Sequence, residues 1–275
     1  MNPTGTLIHE RDGSQGPSAP SGPGFETVRV WGLSLARVTT EEMLDLVDGL
    51  IDRAAPGYFI TANLHYAMLT DRDARLAEVN RRAAFLVADG APLVWYSRLV
   101  GRPLPERVTG ADSIYRLCQR AARRGHRVFL LGGAPAVARQ AAENLRRLWP
   151  GLRIVGIETP MLGDLSPREH ARLIWRIRFA RPDLLFAALG QPKGELWLAE
   201  NIDALGVPAC VQVGASFDFV AGRVARAPKW MRRIGAEWTY RIWREPRRMI
   251  PRYAADAAFL VKAVLRDALG RGKSG

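Results

Sequence analysis

An aspartate interrupts the apolar run "FLVADGAPLV", Phe85 to Val94. A carboxylate partly desolvated at the end of a buried strand can take a proton from a substrate hydroxyl, as a general base does. The same Asp89-Gly90 pair also suits a turn in which the aspartate caps the next helix. Other polar residues recur at comparable positions: Thr61 and Asn63 after "YFI", Gly132 and Gly133 after "VFLL", Gln191 after "FAALG", and Gly214 to Asp218 after "VQV". Arg107, in "PERVTGADS", precedes a glycine and a helix start, where a guanidinium can pair with a phosphate or form a surface ion pair. In "LGQPKGELW", Gln191, Lys193 and Glu195 crowd a proline-containing loop that is either a ligand contact or a polar turn. "LLGGAPAVA" could present helix N-terminal amides to a phosphate, but it lacks the G-x-G-x-x-G fingerprint of dinucleotide folds.

Metal chemistry finds little support. Asp71-Arg72-Asp73 matches a D-x-D pattern in form, yet it falls in a helical segment, where residues two apart point about 200° from each other and cannot chelate one ion. Cys118 and Cys210 have no C-x-x-C spacing, and four scattered histidines form no ligand pattern. The expectation is therefore no metal, no cofactor and a reducing, cytoplasmic setting.

These residues need a scaffold that brings strand ends together. A chain of 275 residues, 48% of them hydrophobic, can bury a sizeable core. From Val28 onward, apolar runs ("VRVWG", "YFITAN", "AFLVAD", "RVFLLG", "LRIVGI", "DLLFAALG", "ACVQVGA") alternate with segments of helical period. That alternation predicts an α/β fold: a Rossmann-like, mostly parallel sheet flanked by helices, with ligands beyond the carboxyl ends of its strands. Thr39 and Glu42 form a capping box ahead of the first helix, and "HYAMLTDRDARLAEVNRRA" reads as one helical segment. Residues 1–24, rich in Gly, Pro and Ser and without a signal-peptide core, read as a disordered tail. Residues 25–222 read as the α/β domain, and residues 223–275 as a basic, aromatic-rich helical appendage that Pro228, Pro246 and Pro251 should divide.

The formal charge of +13 is uneven: Arg223 to Tyr253 holds ten Arg/Lys against two acids, interleaved with Trp230, Trp238 and Trp243. Such a patch predicts an anionic partner, whether nucleic acid, phospholipid or a phosphorylated substrate. Arg223, Arg226, Arg232, Arg233, Arg241, Arg244, Arg247 and Arg248 are its candidate contacts to a lipid acceptor or membrane. No run reaches the roughly 18 apolar residues of a spanning helix.

Taken in order, "TAN", "ADG", "ERVTGAD", "FLLGG", "LGQPKGE" and "GASFDFVAGRVARAPKWMRRIGAEWTYRIWREPRR" resemble the WecG/TagA/CpsF glycosyltransferase family, from about Val28 to Tyr253. The resemblance implies inverting transfer of a hexose or N-acetylhexosamine-type sugar from a UDP-sugar to a polyprenyl-diphosphate-linked acceptor at the inner face of the cytoplasmic membrane. It implies Asp89 as general base with Thr61, Arg107 and Gln191 in the same site. Asn63, Gly132 and Gly133, with Lys193 and Glu195, would bind the donor. The appendage would touch an anionic membrane surface and close over the site. One departure stands out: the family loop usually reads Pro-Lys-Gln-Glu, and here Gly194 replaces the Gln. Nucleic acid is not an expected partner, and a homo-oligomer is left open. The competing readings are a nucleotide-dependent oxidoreductase, which lacks its fingerprint in "WGLSLARVTT", and a nucleic-acid binder built on the basic tail, which leaves the strand-end polar residues unexplained.

Overall fold

A computed structural model describes residues 24–233 and 235–271, so the expected tail over 1–24 lies outside the described residues but for Gly24. A hairpin comes first, β1 (Thr27–Val30) and β2 (Leu33–Ala36), followed by α1 (Thr40–Arg53). Then come β3 (Tyr58–Ala62), α2 (Leu64–Arg72), α3 (Ala74–Arg82), β4 (Leu86–Ala88), α4 (Ala91–Leu99) and α5 (Gly110–Arg124). The next strands and helices alternate: β5 (Arg127–Gly132), α6 (Pro135–Leu148), β6 (Arg153–Glu158), α7 (Pro167–Ala180), β7 (Leu184–Ala188), α8 (Lys193–Leu205) and β8 (Ala209–Gln212). Four helices follow among the described residues: α9 (Ser216–Val220), α10 (Lys229–Arg233), α11 (Glu237–Arg244) and α12 (Pro246–Arg271).

Six strands form one parallel sheet in the order β4-β3-β8-β7-β5-β6. Every residue of β3, β4 and β8 is buried, as a strand covered by helices on both faces requires. The edge strand β6 buries only Ile154 fully. Two cores result, one per face: α1, α5 and α6 supply Met43, Leu117 and Ala138 to one, and α2, α8 and α12 supply Tyr66, Leu198 and Phe259 to the other. The capping box stands as expected, with the Glu42 carboxylate accepting from the Thr39 amide at 2.7 Å and the Thr39 hydroxyl accepting from the Glu42 amide at 3.3 Å.

Three local expectations are corrected. "VRVWG" does not join the parallel sheet; it pairs antiparallel with β2 through a two-residue turn, Trp31-Gly32, with φ of 47° and 83°. Both residues take the left-handed conformation that matches hairpin twist, and Trp31 tolerates it because its ring is buried 4.7 Å from that of Tyr96. The helix through Asp71 and Asp73 breaks at Asp73, which leaves the helical region at φ −121° and caps α3 by accepting from the Arg75 amide. Its carboxylate pairs with Arg75 at 2.7 Å, while Asp71 pairs with Arg266 at 3.0 Å, so the two acids are held by different guanidinia. Finally, Pro251 lies inside α12 without ending it. Burial of Met249, Asp256 and Phe259 on either side outweighs the one ladder bond that proline removes.

Gly132 closes β5 at φ +93°, and a Cβ there would lie 2.6 Å from the Ala188 carbonyl oxygen. The residue that must yield is backbone in the adjacent strand. Gly132→Ala is therefore expected to cost about 1–3 kcal/mol of backbone strain plus the clash, read as a lower urea midpoint with unchanged slope.

Candidate active site

The strand order reverses between the β3–β4 pair and the strands beyond β8, and such a switch point opens a crevice above the carboxyl ends. A cavity of about 630 Å³ lies there. Thr61 is the last residue but one of β3, Asp89 follows β4, Ala188 ends β7 and Gln212 ends β8, and all four line it. Asn63, Arg107, Gln191 and Glu195 line it as well. Its far wall comes from the appendage: Trp238 and Arg241 on α11, and Arg248, Arg252, Tyr253 and Asp256 on α12.

Asp89 is fixed to the neighbouring strand by its backbone amide, which donates to the Ala62 carbonyl at 2.7 Å. Its half-buried side chain lines the cavity. Desolvation pushes its pKa up to about 7, against the opposing pull of the Gly110 amide and the Arg107 guanidinium. Residue 110 must be small for that amide to approach, since a Cβ there would lie 3.1 Å from Thr61 Oγ1 and 3.4 Å from Asp89 Oδ2. Glu237 and Arg241 of the appendage act on the same carboxyl in opposite senses. Arg107 also donates to the Arg232 carbonyl at 3.0 Å, which ties it to the appendage.

A second acid lies deeper. Glu195, 2% exposed, has its pKa raised to about 7 by desolvation, partly offset by Gln191, whose amide donates to Oε1 at 2.9 Å. Its Oε2 has no partner among the described residues. The absent side chain at 194 has a physical reason: a Cβ there would lie 2.5 Å from Gln212 Cδ.

Not every expected residue reaches the cavity. Gly132, Gly133 and Lys193 do not line it. Gly132 lets β5 finish close against β7, while Gly133, whose amide donates to the Ala188 carbonyl at 3.0 Å, makes room for Phe217 of α9. Asn63 has a structural duty besides its place on the wall, capping α2 through the Tyr66 amide at 2.9 Å. Among the arginines of the appendage, Arg226 and Arg232 turn inward and pair with Asp112, so neither offers its charge to a surface. Arg241 and Arg248 line the cavity, Arg223, Arg244 and Arg247 are exposed, and the side chain of Arg233 lies outside the described ones.

Several cavity residues carry no local signal that sequence reasoning could have used. His65 and Asp256, from α2 and α12, meet at 2.8 Å with Asp256 buried. No spacing rule joins residues so far apart. Arg252 completes a set of three appendage guanidinia on the wall, and Gln212 was detectable only as the last residue of a strand. The appendage also exposes Trp230, Trp243 and Ile250, together with Val261, Leu265 and Leu269 at four-residue spacing along α12. No helix among the described residues is long and apolar enough to cross a membrane.

Residues 28–274 match the family described as Glycosyl transferase WecG/TagA/CpsF. Over 208 residues, 74% of this chain and 79% of the relative, the sequence is 33% identical to an N-acetylglucosaminyldiphosphoundecaprenol N-acetyl-beta-D-mannosaminyltransferase of Bacillus spizizenii.

The raised pKa of Asp89 has a consequence for stability. Between 3.8, its ordinary value, and about 7, the folded chain holds a proton that the unfolded chain releases. That proton's stabilisation is complete at low pH and is lost as pH rises through the window. The melting temperature of the native chain minus that of Asp89→Asn is expected to fall between about pH 4 and pH 7 and to level off above it, measured calorimetrically at constant salt. Parallel curves would place the carboxyl in ordinary solvent.

Proposed function

The chain belongs to the WecG/TagA/CpsF glycosyl transferase family, and on that premise we propose that it moves a hexose or N-acetylhexosamine-type sugar, with inversion, from a UDP-sugar to a polyprenyl-diphosphate-linked saccharide. One observation carries this reading: a desolvated carboxyl at a strand end, Asp89, shares a cavity with guanidinia from the appendage. The acceptor class is supported by the name of the relative, which acts on an undecaprenyl-diphosphate-linked sugar.

In this reading Asp89 accepts the proton of the acceptor hydroxyl. The hydroxyl oxygen forms the new bond to the anomeric carbon from the face opposite the nucleotide, and the bond to the diphosphate oxygen breaks with its electron pair. UDP leaves with added negative charge. Arg107, Arg241, Arg248 and Arg252 are the groups on the wall that would neutralise it. Thr61 and Gln191 help to position substrate, the latter through its bond to Glu195. A base with a pKa near 7 is matched to work at neutral pH, because enough of it is ionised while it still binds a proton well.

Among the described residues no cluster of three or more His, Cys, Asp or Glu could hold a metal ion. Charge neutralisation by arginine is therefore the route proposed for the leaving diphosphate. The acceptor's lipid tail stays in a bilayer, so the protein must work at its surface. The exposed tryptophans and the Val261, Leu265, Leu269 stripe, with Arg223, Arg244 and Arg247, form the surface proposed to dock there, on the inner face of the cytoplasmic membrane.

Mass analysis tests the reaction: with a panel of UDP-sugars and a polyprenyl-diphosphate-linked N-acetylglucosamine, the acceptor should gain one sugar residue as UDP appears. Asp89→Asn should bind UDP normally and turn over about 10² to 10⁴ more slowly. The pH profile of kcat/KM should rise through about 7 and plateau above it, as loss of the proton frees the base. EDTA should leave the rate nearly unchanged. Wild-type turnover by a well-folded Asp89→Asn would remove the proposed base. In sedimentation with vesicles, the protein should pellet with anionic but poorly with neutral lipid, and high salt should release it.

A further inference from the structure

We propose that Gln212 reads the transferred sugar of the donor, in a seat that exists because residue 194 is glycine; this rests on the donor reading above. Gln212 is the last residue of β8 and is 4% exposed. Its Oε1 accepts from the Leu189 backbone amide at 3.3 Å, which fixes the orientation of the side-chain amide. Nε2, on the other side, is buried without a partner among the described residues although it carries two donor hydrogens. Glu195 Oε2 is in the same condition, and both residues line the cavity. Buried polar groups are almost always paired, so two orphans on one wall mark a place where a ligand supplies the partners.

Gly194 explains why the seat is open. A Cβ at this position would lie 2.5 Å from Gln212 Cδ, 2.7 Å from Nε2 and 2.8 Å from Oε1, so a side chain at 194 and the present placement of Gln212 exclude each other. The clash falls on the movable end of a side chain and not on backbone. Substitution would therefore turn Gln212 away while leaving the fold intact. Residue 194 lies in the first turn of α8, where alanine favours the helix more than glycine does.

The seat selects by chemistry. Nε2 donates, so the ligand must offer a lone pair; Glu195 Oε2 gains most from a ligand that offers a proton. A sugar hydroxyl or an acetamido group supplies both. A hexuronate carboxylate supplies no proton and would approach Glu195, whose one hydrogen-bonded side-chain partner is the neutral amide of Gln191. The guanidinia of the cavity, Arg107, Arg241, Arg248 and Arg252, are the groups assigned to the diphosphate, and none of them is among the groups that act on Glu195. The seat therefore takes an uncharged substituent and rejects a hexuronate.

Calorimetric titration of the full chain with UDP, UDP-glucose, UDP-N-acetylglucosamine, UDP-N-acetylmannosamine and UDP-glucuronate tests this. A neutral UDP-sugar should bind more tightly than UDP-glucuronate. Gln212→Leu and Gly194→Ala should each lose about tenfold in affinity for that sugar nucleotide, the worth of one hydrogen bond, with UDP affinity as the unchanged reference. Gly194→Ala should melt at or above the native temperature, a combination that a merely structural glycine would not give. Retained affinity for the neutral sugar nucleotide in both folded variants overturns the seat alone, as does tightest binding of UDP-glucuronate. Binding of neither UDP nor any UDP-sugar overturns the donor reading and the seat with it.

Discussion

Parallel register sets the height at which each central strand stops, and the cavity depends on that common level. Thr61 lies opposite Val87 and Ala62 opposite Ala88, while Ala187 lies opposite Gln212. The next residues along, Asn63, Asp89 and Val213, leave the sheet within one layer. A parallel sheet buried on both faces has no water to satisfy its backbone, so the ladder cannot slip without orphaning amides. Side chains one step past the last rung thus receive a fixed position for little added cost in local structure. The Asp89 amide bonded to the Ala62 carbonyl is the final instance of that ladder.

The second determinant is how the appendage is held. It is not a loose extension of charge. Phe259 and Ala263 belong to the same core as β3 and α8, and the appendage is fastened by ion pairs of Arg226 and Arg232 with Asp112 and of Arg266 with Asp71, and by the hydrogen bond between His65 and Asp256. Enclosure follows from this anchoring. Desolvation raises the pKa of both Asp89 and Glu195, while Arg107, fastened to the Arg232 carbonyl, and Arg241 of α11 restrain the rise at Asp89. The same arginines cannot be counted as surface charge, which redistributes the cationic patch toward Arg223, Arg244 and Arg247.

Much of this was legible in the residues. Apolar runs of five or six with polar residues immediately beyond them located the parallel strands and four of the cavity residues, Thr61, Asn63, Asp89 and Gln191, because strand ends and ligand sites coincide for a topological reason. Local signals failed where tertiary packing decided the outcome. "VRVWG" has the composition of a core strand, yet the Trp31-Gly32 turn makes it a hairpin. Pro251 should end a helix and does not, since buried neighbours on both sides keep α12 continuous. Gly132 and Gly133, read as donor-binding glycines, do not line the cavity; a Cβ at Gly132 would meet the Ala188 carbonyl of β7 and one at Gly133 the Phe217 ring of α9. His65 with Asp256 had no signature, because nothing in a one-dimensional pattern records that α2 and α12 share a face.

Asp256 reaches His65 across 191 positions of chain, Arg266 reaches Asp71 across 195, and Trp31 in the hairpin stacks its edge against Phe259. Contacts of such sequence separation form late, after the loop entropy between them has been overcome. During synthesis the sheet can assemble as its strands emerge, but the cavity wall arrives only with the last helix. Until then Asp89 lacks Glu237 and Arg241, the appendage groups that act on its carboxyl. A nascent or C-terminally clipped molecule thus lacks the far wall of the cavity at its strand ends. The order of synthesis separates acquiring the fold from acquiring the chemistry.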